Sequence, residues 1–160
     1  MVLVILIFWG NCLTAAFRSI FKMSWNDYID NLIARSKGSS GKANIDKACI
    51  IGLEKGNMWT TQENPHVLML TPGEGMIIAE CFRKKDFTAF STDIHVENEG
   101  YIFLRDIDNK MVLARRCNAG ITMQASKSAV VIARTREGGQ QGITNKAVAK
   151  IAYYLESLNM

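Results

Sequence analysis

The chain has 160 residues, of which 48% are hydrophobic and 21% charged, with only two prolines; this excludes a disordered tail and fits one folded domain. A chain of that length buries roughly two-thirds of its unfolded surface, so a single core holds it without metal or disulfide staples. The formal charge of +4 includes Arg18 and Lys22 from a stretch that contains no acid. The rest of the chain carries 17 basic against 15 acidic residues, too weak a field to make nucleic acid the partner.

Residues 1–22 read unlike the remainder. Val2 to Trp9 are all apolar, and the sequence then softens through Gly10, Asn11 and Cys12 to Thr14, Ala15 and Ala16 before Arg18. A secretory signal fits the apolar core and the small residues near a cut after Ala16, but its basic start is missing. A membrane span needs about 20 apolar residues, and this stretch meets Asn11 and Arg18 too early. A third reading makes Met23 the working start, with an alternative leader or translated upstream stretch before it. Signal-like leader and alternative start both stay open, with a domain expected over 23–160.

Ser24 is placed as a helix N-cap with Asp27 at the third helical position. Trp25, Tyr28 and Leu32, with Ile29 and Ile33 beside them, predict a helix to about Arg35, followed by a Gly/Ser-rich loop from Lys37 to Gly41. The apolar run Ala48 to Leu53 predicts a buried strand, Glu54 to Asn57 a turn, and Met58 to Thr61 an antiparallel partner strand. Thr71, Pro72 and Glu74 open a second helix that Met76, Ile77, Ala79 and Glu80 carry to about Phe82. After the basic run Arg83, Lys84, Lys85 come strands at Ile94–Val96, Tyr101–Ile107, Met111–Arg115, Gly120–Gln124 and Ala129–Ala133, with Asp108, Asn109 and Lys110 as a tight hairpin connection. Val148, Ile151, Ala152, Leu155 and Leu158 predict a terminal amphipathic helix with Asn145 near its start. This order gives an α+β fold, with helices packed on an antiparallel sheet.

The chemistry-bearing residues argue against an enzyme. The four cysteines, at 12, 49, 81 and 117, form no C-x-x-C pair and have no histidine nearby, which argues against a zinc site and makes buried reduced thiols at Cys49 and Cys81 the expectation. His66 and His95 lack a nucleophile context, and Glu137 to Gly142 is glycine-rich without the Lys-Ser/Thr ending that phosphate transfer needs. Asp106 and Asp108 flank a turn and read as solvated. The aromatic residues say more. Trp25 and Tyr28 lie one helical turn apart near the domain's start, and Tyr153 and Tyr154 lie near its end. Such rings form either a seam between two packed helices or a platform for a proline-rich segment in the polyproline II form, which has flat rings and unsatisfied carbonyls.

Met23-Ser24-Trp25-Asn26-Asp27-Tyr28-Ile29-Asp30, the Ile50-Ile51-Gly52 to Trp59 hairpin, the Gly120-Ile121-Thr122 strand and the ending from Asn145-Lys146 to Tyr154-Leu155 together resemble the profilins, small actin-monomer-binding proteins. The resemblance spans essentially 23–160. It implies a profilin-like central antiparallel sheet with the N- and C-terminal helices on one face and smaller helices on the other. It also implies no cofactor, and a cytoplasmic protein of the cytoskeleton that binds actin monomers and proline-rich proteins such as formins. The proline platform would comprise Trp25, Tyr28, Trp59 from the second strand, Tyr154 and, where the family usually has an aromatic or apolar residue, Met160. The actin surface would comprise Ile102, Phe103, Arg105, Arg116, Gln140, and Asn145 with Lys146 at the start of the last helix. Phosphoinositide head groups would be met by Arg83, Lys84, Lys85, Arg115 and Arg116. A rival reading keeps the fold and denies actin: a profilin-like scaffold for trafficking or GTPase regulation, with the sheet as dimer platform.

Overall fold

The computed structural model describes residues 24–160, so the leader expected over 1–22 lies outside the described residues. Helix α1 (Trp25–Arg35) starts as its capping residues predict. The Ser24 hydroxyl accepts from the Asn26 N–H at 3.1 Å and the Asp27 carboxylate accepts from the Ser24 N–H at 2.9 Å, which satisfies amides that a first helical turn otherwise leaves open. Tyr28, Ile29 and Leu32 form its buried stripe. At the other end Ser36 ties helix to sheet: its hydroxyl donates to the Ile33 carbonyl at 2.7 Å and accepts from the Ile45 N–H at 3.0 Å.

Strand β1 (Ile45–Gly52) begins three residues before the apolar run, because Ile45 and Lys47 find partners in Thr135 and Arg134 across a bulge. The partner strand expected over Met58–Thr61 does not form. Only Met58 bridges Ile51, with the Trp59 N–H on the Ile50 carbonyl at 2.9 Å. The outer edge of β1 is instead shared, since the Ala48 N–H bonds the His66 carbonyl and the Leu68 N–H bonds the Ala48 carbonyl. Thr61 is drawn away to α1. Trp59 therefore stands on a loop beside β1, not on a second strand.

Helix α2 (Pro72–Lys84) carries the predicted capping box, with the Glu74 N–H on the Thr71 hydroxyl at 3.2 Å and the Thr71 N–H on the Glu74 carboxylate at 2.8 Å. It runs two residues past Phe82, so Arg83 and Lys84 sit in its last turn, where positive charge complements the helix dipole. A single 3-10 turn, Thr88–Phe90, follows without any signal in the sequence.

Strands β2 (Ile94–Val96), β3 (Glu99–Ile107), β4 (Met111–Arg116), β5 (Ala119–Ala125) and β6 (Ala129–Thr135) complete a six-stranded sheet in the order β1-β6-β5-β4-β3-β2, antiparallel throughout. Two of its hairpin turns, Glu97-Asn98 and Asp108-Asn109, hold both central residues at positive φ, the geometry whose twist matches the flanking strands and which Asn and Asp tolerate. Asp106 and Asp108 are exposed as expected. A bulge between Phe103 and Arg105 leaves Leu104 unpaired.

Helix α3 (Gln141–Ser157) lies beside α1 on one face of the sheet, and the smaller helical elements cover the other. It starts four residues before Asn145, which corrects the expected position of Asn145 and Lys146: they occupy its second turn. Its buried stripe of Val148, Ile151, Ala152 and Leu155 is the predicted one, whereas Leu158 is the C-cap and is exposed. Cys49 and Cys81 are buried free thiols, and burial holds the Cys49 thiol far above its ordinary range, which makes it unreactive; Cys117 is exposed. No helix among the described residues is long and apolar enough to cross a membrane.

Candidate functional site

The antiparallel register gives the molecule two ends. At one, Gly52 lies across from Ala129, and Ala125 across from Val130; at the other, Ile45 pairs with Thr135, Thr135 with Gly120 and Gly120 with Arg115.

The aromatic residues gather at the Gly52 end. Trp25 stacks on Tyr28 with ring centroids 5.4 Å apart, touches Trp59 at 4.6 Å, and Tyr28 meets Tyr154 at 6.4 Å. Tyr28 is buried, Trp25 and Trp59 are half-buried, and Tyr154 is 47% exposed, so the cluster packs into the protein and keeps part of its aromatic surface in solvent. Burial, then the neighbouring Tyr154 hydroxyl, pushes the Tyr28 phenol up from its ordinary range. Met160 is half-buried against the core; its N–H reaches the Leu155 carbonyl and its own carbonyl accepts from the Lys127 N–H, both at 2.9 Å. The five residues expected to form a proline platform are thus brought to one end of the molecule.

Two polar devices that the sequence reading missed hold this arrangement. Asn26 clasps Thr61 twice, donating from Nδ2 to the Thr61 hydroxyl at 2.7 Å and accepting the Thr61 N–H at 2.8 Å. Asn64 adds bonds to the Asn26 carbonyl and the Asp30 carboxylate at 3.1 and 3.0 Å. The loop bearing Trp59 is therefore fastened to the helix bearing Trp25. Gly52 completes the seat, since a Cβ there would stand 2.9 Å from the Trp59 indole nitrogen and 2.8 Å from the Asn57 side-chain oxygen. A lone Asn next to a tryptophan carries no periodic signal, and only the fold reveals its partner.

The residues expected to face actin lie along the strands and helix that meet at the opposite end. Ile102, 68% exposed, stands across from Arg115, and Arg105 stands across from Leu113 beyond the bulge. Phe103 turns the other way, with its ring 6.2 Å from Phe90. Arg116 lies 4.0 Å from Glu99, a long, solvent-exposed ion pair. The Gln140 N–H is capped by the Asn44 side-chain oxygen at 2.8 Å, which leaves its side chain exposed at the start of α3. Asn145 is turned inward, accepting from the Thr122 hydroxyl at 2.6 Å, whereas Lys146 points to solvent. Gln141, which the sequence reading passed over, spans β4 and β5 by donating to the Ala114 and Ile121 carbonyls at 3.3 and 3.0 Å. Gly120 admits it, because a Cβ there would lie 2.7 Å from the Gln141 amide carbon.

The basic residues expected to meet phosphoinositides do not form one patch. Arg83 donates to the Leu53 and Glu54 carbonyls just past β1, and Lys84 pairs with Glu80 at 2.6 Å; Lys85 ends the helix in a left-handed conformation. Arg115 and Arg116 belong to the far end, where the Arg115 Nε donates to the Cys117 carbonyl at 3.1 Å.

Comparison with known proteins matches residues 23–160 to the family model described as Profilin. The chain is 55% identical over 140 residues to a profilin of Clypeaster japonicus and 54% identical over 140 residues to one of Suberites domuncula; each alignment covers 86% of this chain and all of the relative. Among solved structures it is similar to Acanthamoeba castellanii profilin IB, with a TM-score of 0.69 at 24% identity, covering 86% of this chain and all of that one. It is also similar to mouse profilin IIa in complex with a double repeat from the FH1 domain of mDia1, with a TM-score of 0.64 at 19% identity and the same coverage.

Proposed function

The chain belongs to the profilin family, which consists of actin-binding regulatory proteins and not of enzymes, and from that premise we propose that it carries actin monomers on one end and proline-rich segments on the other, regulating actin polymerisation. The observation that carries the proline site is the aromatic cluster itself: Trp25, Tyr28, Trp59 and Tyr154 lie within 6.4 Å of their neighbours in it, with Trp25, Trp59 and Tyr154 reaching solvent over the buried Tyr28. Flat rings cover pyrrolidine faces, and indole N–H and phenol O–H groups match the unpaired carbonyls of a polyproline II helix. Met160 extends the platform with a polarisable thioether. That mouse profilin IIa has a structure with an FH1 repeat supports the same ligand class, proline-rich elongation factors such as formins.

The actin surface is assigned to Ile102, Arg105, Arg116, Gln140, Asn145 and Lys146, with Phe103, expected there too, packed on Phe90 and acting only by supporting its strand. Ile102 and Lys146 offer the apolar and cationic contacts directly, Asn145 acts by fixing α3 to β5, and charge complementarity with a large acidic partner accelerates encounter. Two surfaces at opposite ends permit simultaneous occupancy, which raises the local concentration of monomer beside a filament-elongating partner. Phosphoinositide head groups are a secondary ligand, met by Arg83, Lys84 and Lys85 or separately by Arg115 and Arg116. The functional domain is assigned to 23–160 and its place to the cytoplasm, with the cytoskeleton.

Retention on polyproline resin, followed by elution and probing for co-bound actin, tests the whole reading at once. The wild-type chain is retained with actin; folded Trp25→Ala flows through. Retention of Trp25→Ala rejects the trough, and wild-type retention without actin rejects the second surface.

A further inference from the structure

The aromatic trough does not stop at Trp59. The same indole forms a wall of a second cleft of about 560 Å³, which Gly52, Asn57, Lys55, Arg83 and Lys127 also line. Three cations stand there against one acid, Glu54. Arg83 is held in place by the Leu53 and Glu54 carbonyls, and Lys127 by the Asn159 side-chain oxygen, 2.6 Å from its ammonium. Their charges are therefore positioned. Lys55 is exposed, and its side chain makes no ion pair among the described residues. The Lys127 N–H also bonds the carbonyl of Met160, the last residue of the candidate proline platform, so cleft and trough share a rim as well as a wall.

A polyproline II chain advances about 3.1 Å per residue, so residues immediately outside a proline run lying on Trp25 and Trp59 reach this cleft. We propose that the cleft is a flank-reading subsite: it selects proline-rich segments that carry an anionic residue, carboxylate or phosphoserine, beside the proline run. The inference rests on the proline-trough reading and deepens it, since the rings recognise proline and the cations choose among proline-rich segments. Fixed cations beside a continuous wall favour a peptide that spans both surfaces over a lipid surface, which would not need the trough.

The test titrates the intrinsic tryptophan fluorescence of the full chain, at low ionic strength, with decaproline peptides carrying three Glu, three phosphoserine, three Ser or three Lys on one side or the other. Glu or phosphoserine on one side tightens binding about three- to ten-fold over Ser on that side, Lys weakens it, and added salt erases the difference. Lys55→Glu removes the preference while Ser-flanked binding stays unchanged. Comparing the Glu and phosphoserine arms tells which anion the cleft favours. Equal binding of all flanks, or a preference that survives in Lys55→Glu, overturns the subsite and leaves the trough standing. Absence of Ser-flanked binding overturns the trough reading and the subsite with it. Phosphatidylserine vesicles that displace Glu-flanked but not Ser-flanked peptide overturn the peptide assignment in favour of a lipid surface.

Discussion

The two ends of the sheet are built on different physical terms. At the Gly52 end, rings from three distant segments pack on one another at 4.6 to 6.4 Å; the Asn26 side chain clasps Thr61 of the loop bearing Trp59, and the Lys127 N–H holds the Met160 carbonyl beyond α3. At the Arg115 end, the candidate contacts are an exposed isoleucine, an outward lysine and a long ion pair between Arg116 and Glu99. A surface that is already packed loses little freedom when a ligand arrives, whereas solvated side chains are ordered by the partner and act first through its field. Substitutions at the ring end should therefore change residence and stability together, and those at the charged end should change encounter rate and salt dependence.

The strongest way to break this contrast is Trp25→Ala. Loss of a central aromatic anchor costs about 2 kcal/mol or more, so proline affinity should fall by roughly thirty-fold, read by fluorescence titration, with actin affinity preserved. Equal loss of both would mean the ends are not independent. Lys146→Glu is the mirror experiment: stopped-flow association with actin should slow by about ten-fold at low salt and recover part of that loss at high salt, while proline binding stays unchanged. Asn26→Ala sharpens the picture from inside the ring end, since removing both bonds to Thr61 should lower the urea-unfolding free energy by about 1 to 2 kcal/mol and weaken proline binding several-fold.

The smallest effect is alkaline. Burial, then Tyr154, raises the Tyr28 phenol above its unfolded value, so the unfolded chain releases that proton first. The stabilisation is fully present below the ordinary tyrosine range, about 10, and is lost as pH rises through the folded value. Thermal melts should therefore decline above that pH, with a shallower decline in Tyr28→Phe. The remaining slope belongs to buried groups such as Tyr101, also raised chiefly by burial.

Local signals explain why some of this was readable in advance. Ser24 with Asp27 and Thr71 with Glu74 determine helix starts within four residues, and the stripe through Val148 and Leu155 fixes the inner face of α3. The ring cluster was legible through the family-like spacing of Trp25, Tyr28 and Trp59, although whether those rings formed a seam or a platform depended on exposure. Contacts between distant residues were not legible. The strand expected at Met58–Thr61 gave way to a loop because Thr61 bonds Asn26, 35 residues away. Helix α3 starts at a residue whose backbone is held from far away, the Gln140 N–H bonding the side-chain oxygen of Asn44, 96 residues earlier. The basic run and the Arg115-Arg116 pair look alike in sequence, and only strand register separates them.

The bond from the Lys127 N–H to the Met160 carbonyl carries a practical warning for reporter design. A fluorescent protein spliced after Met160 leaves from the rim of the ring cluster, where its bulk would shade the proposed proline platform and, on that reading, make the fusion proline-blind. Live-cell localisation with such a fusion would then report the proposed actin surface alone.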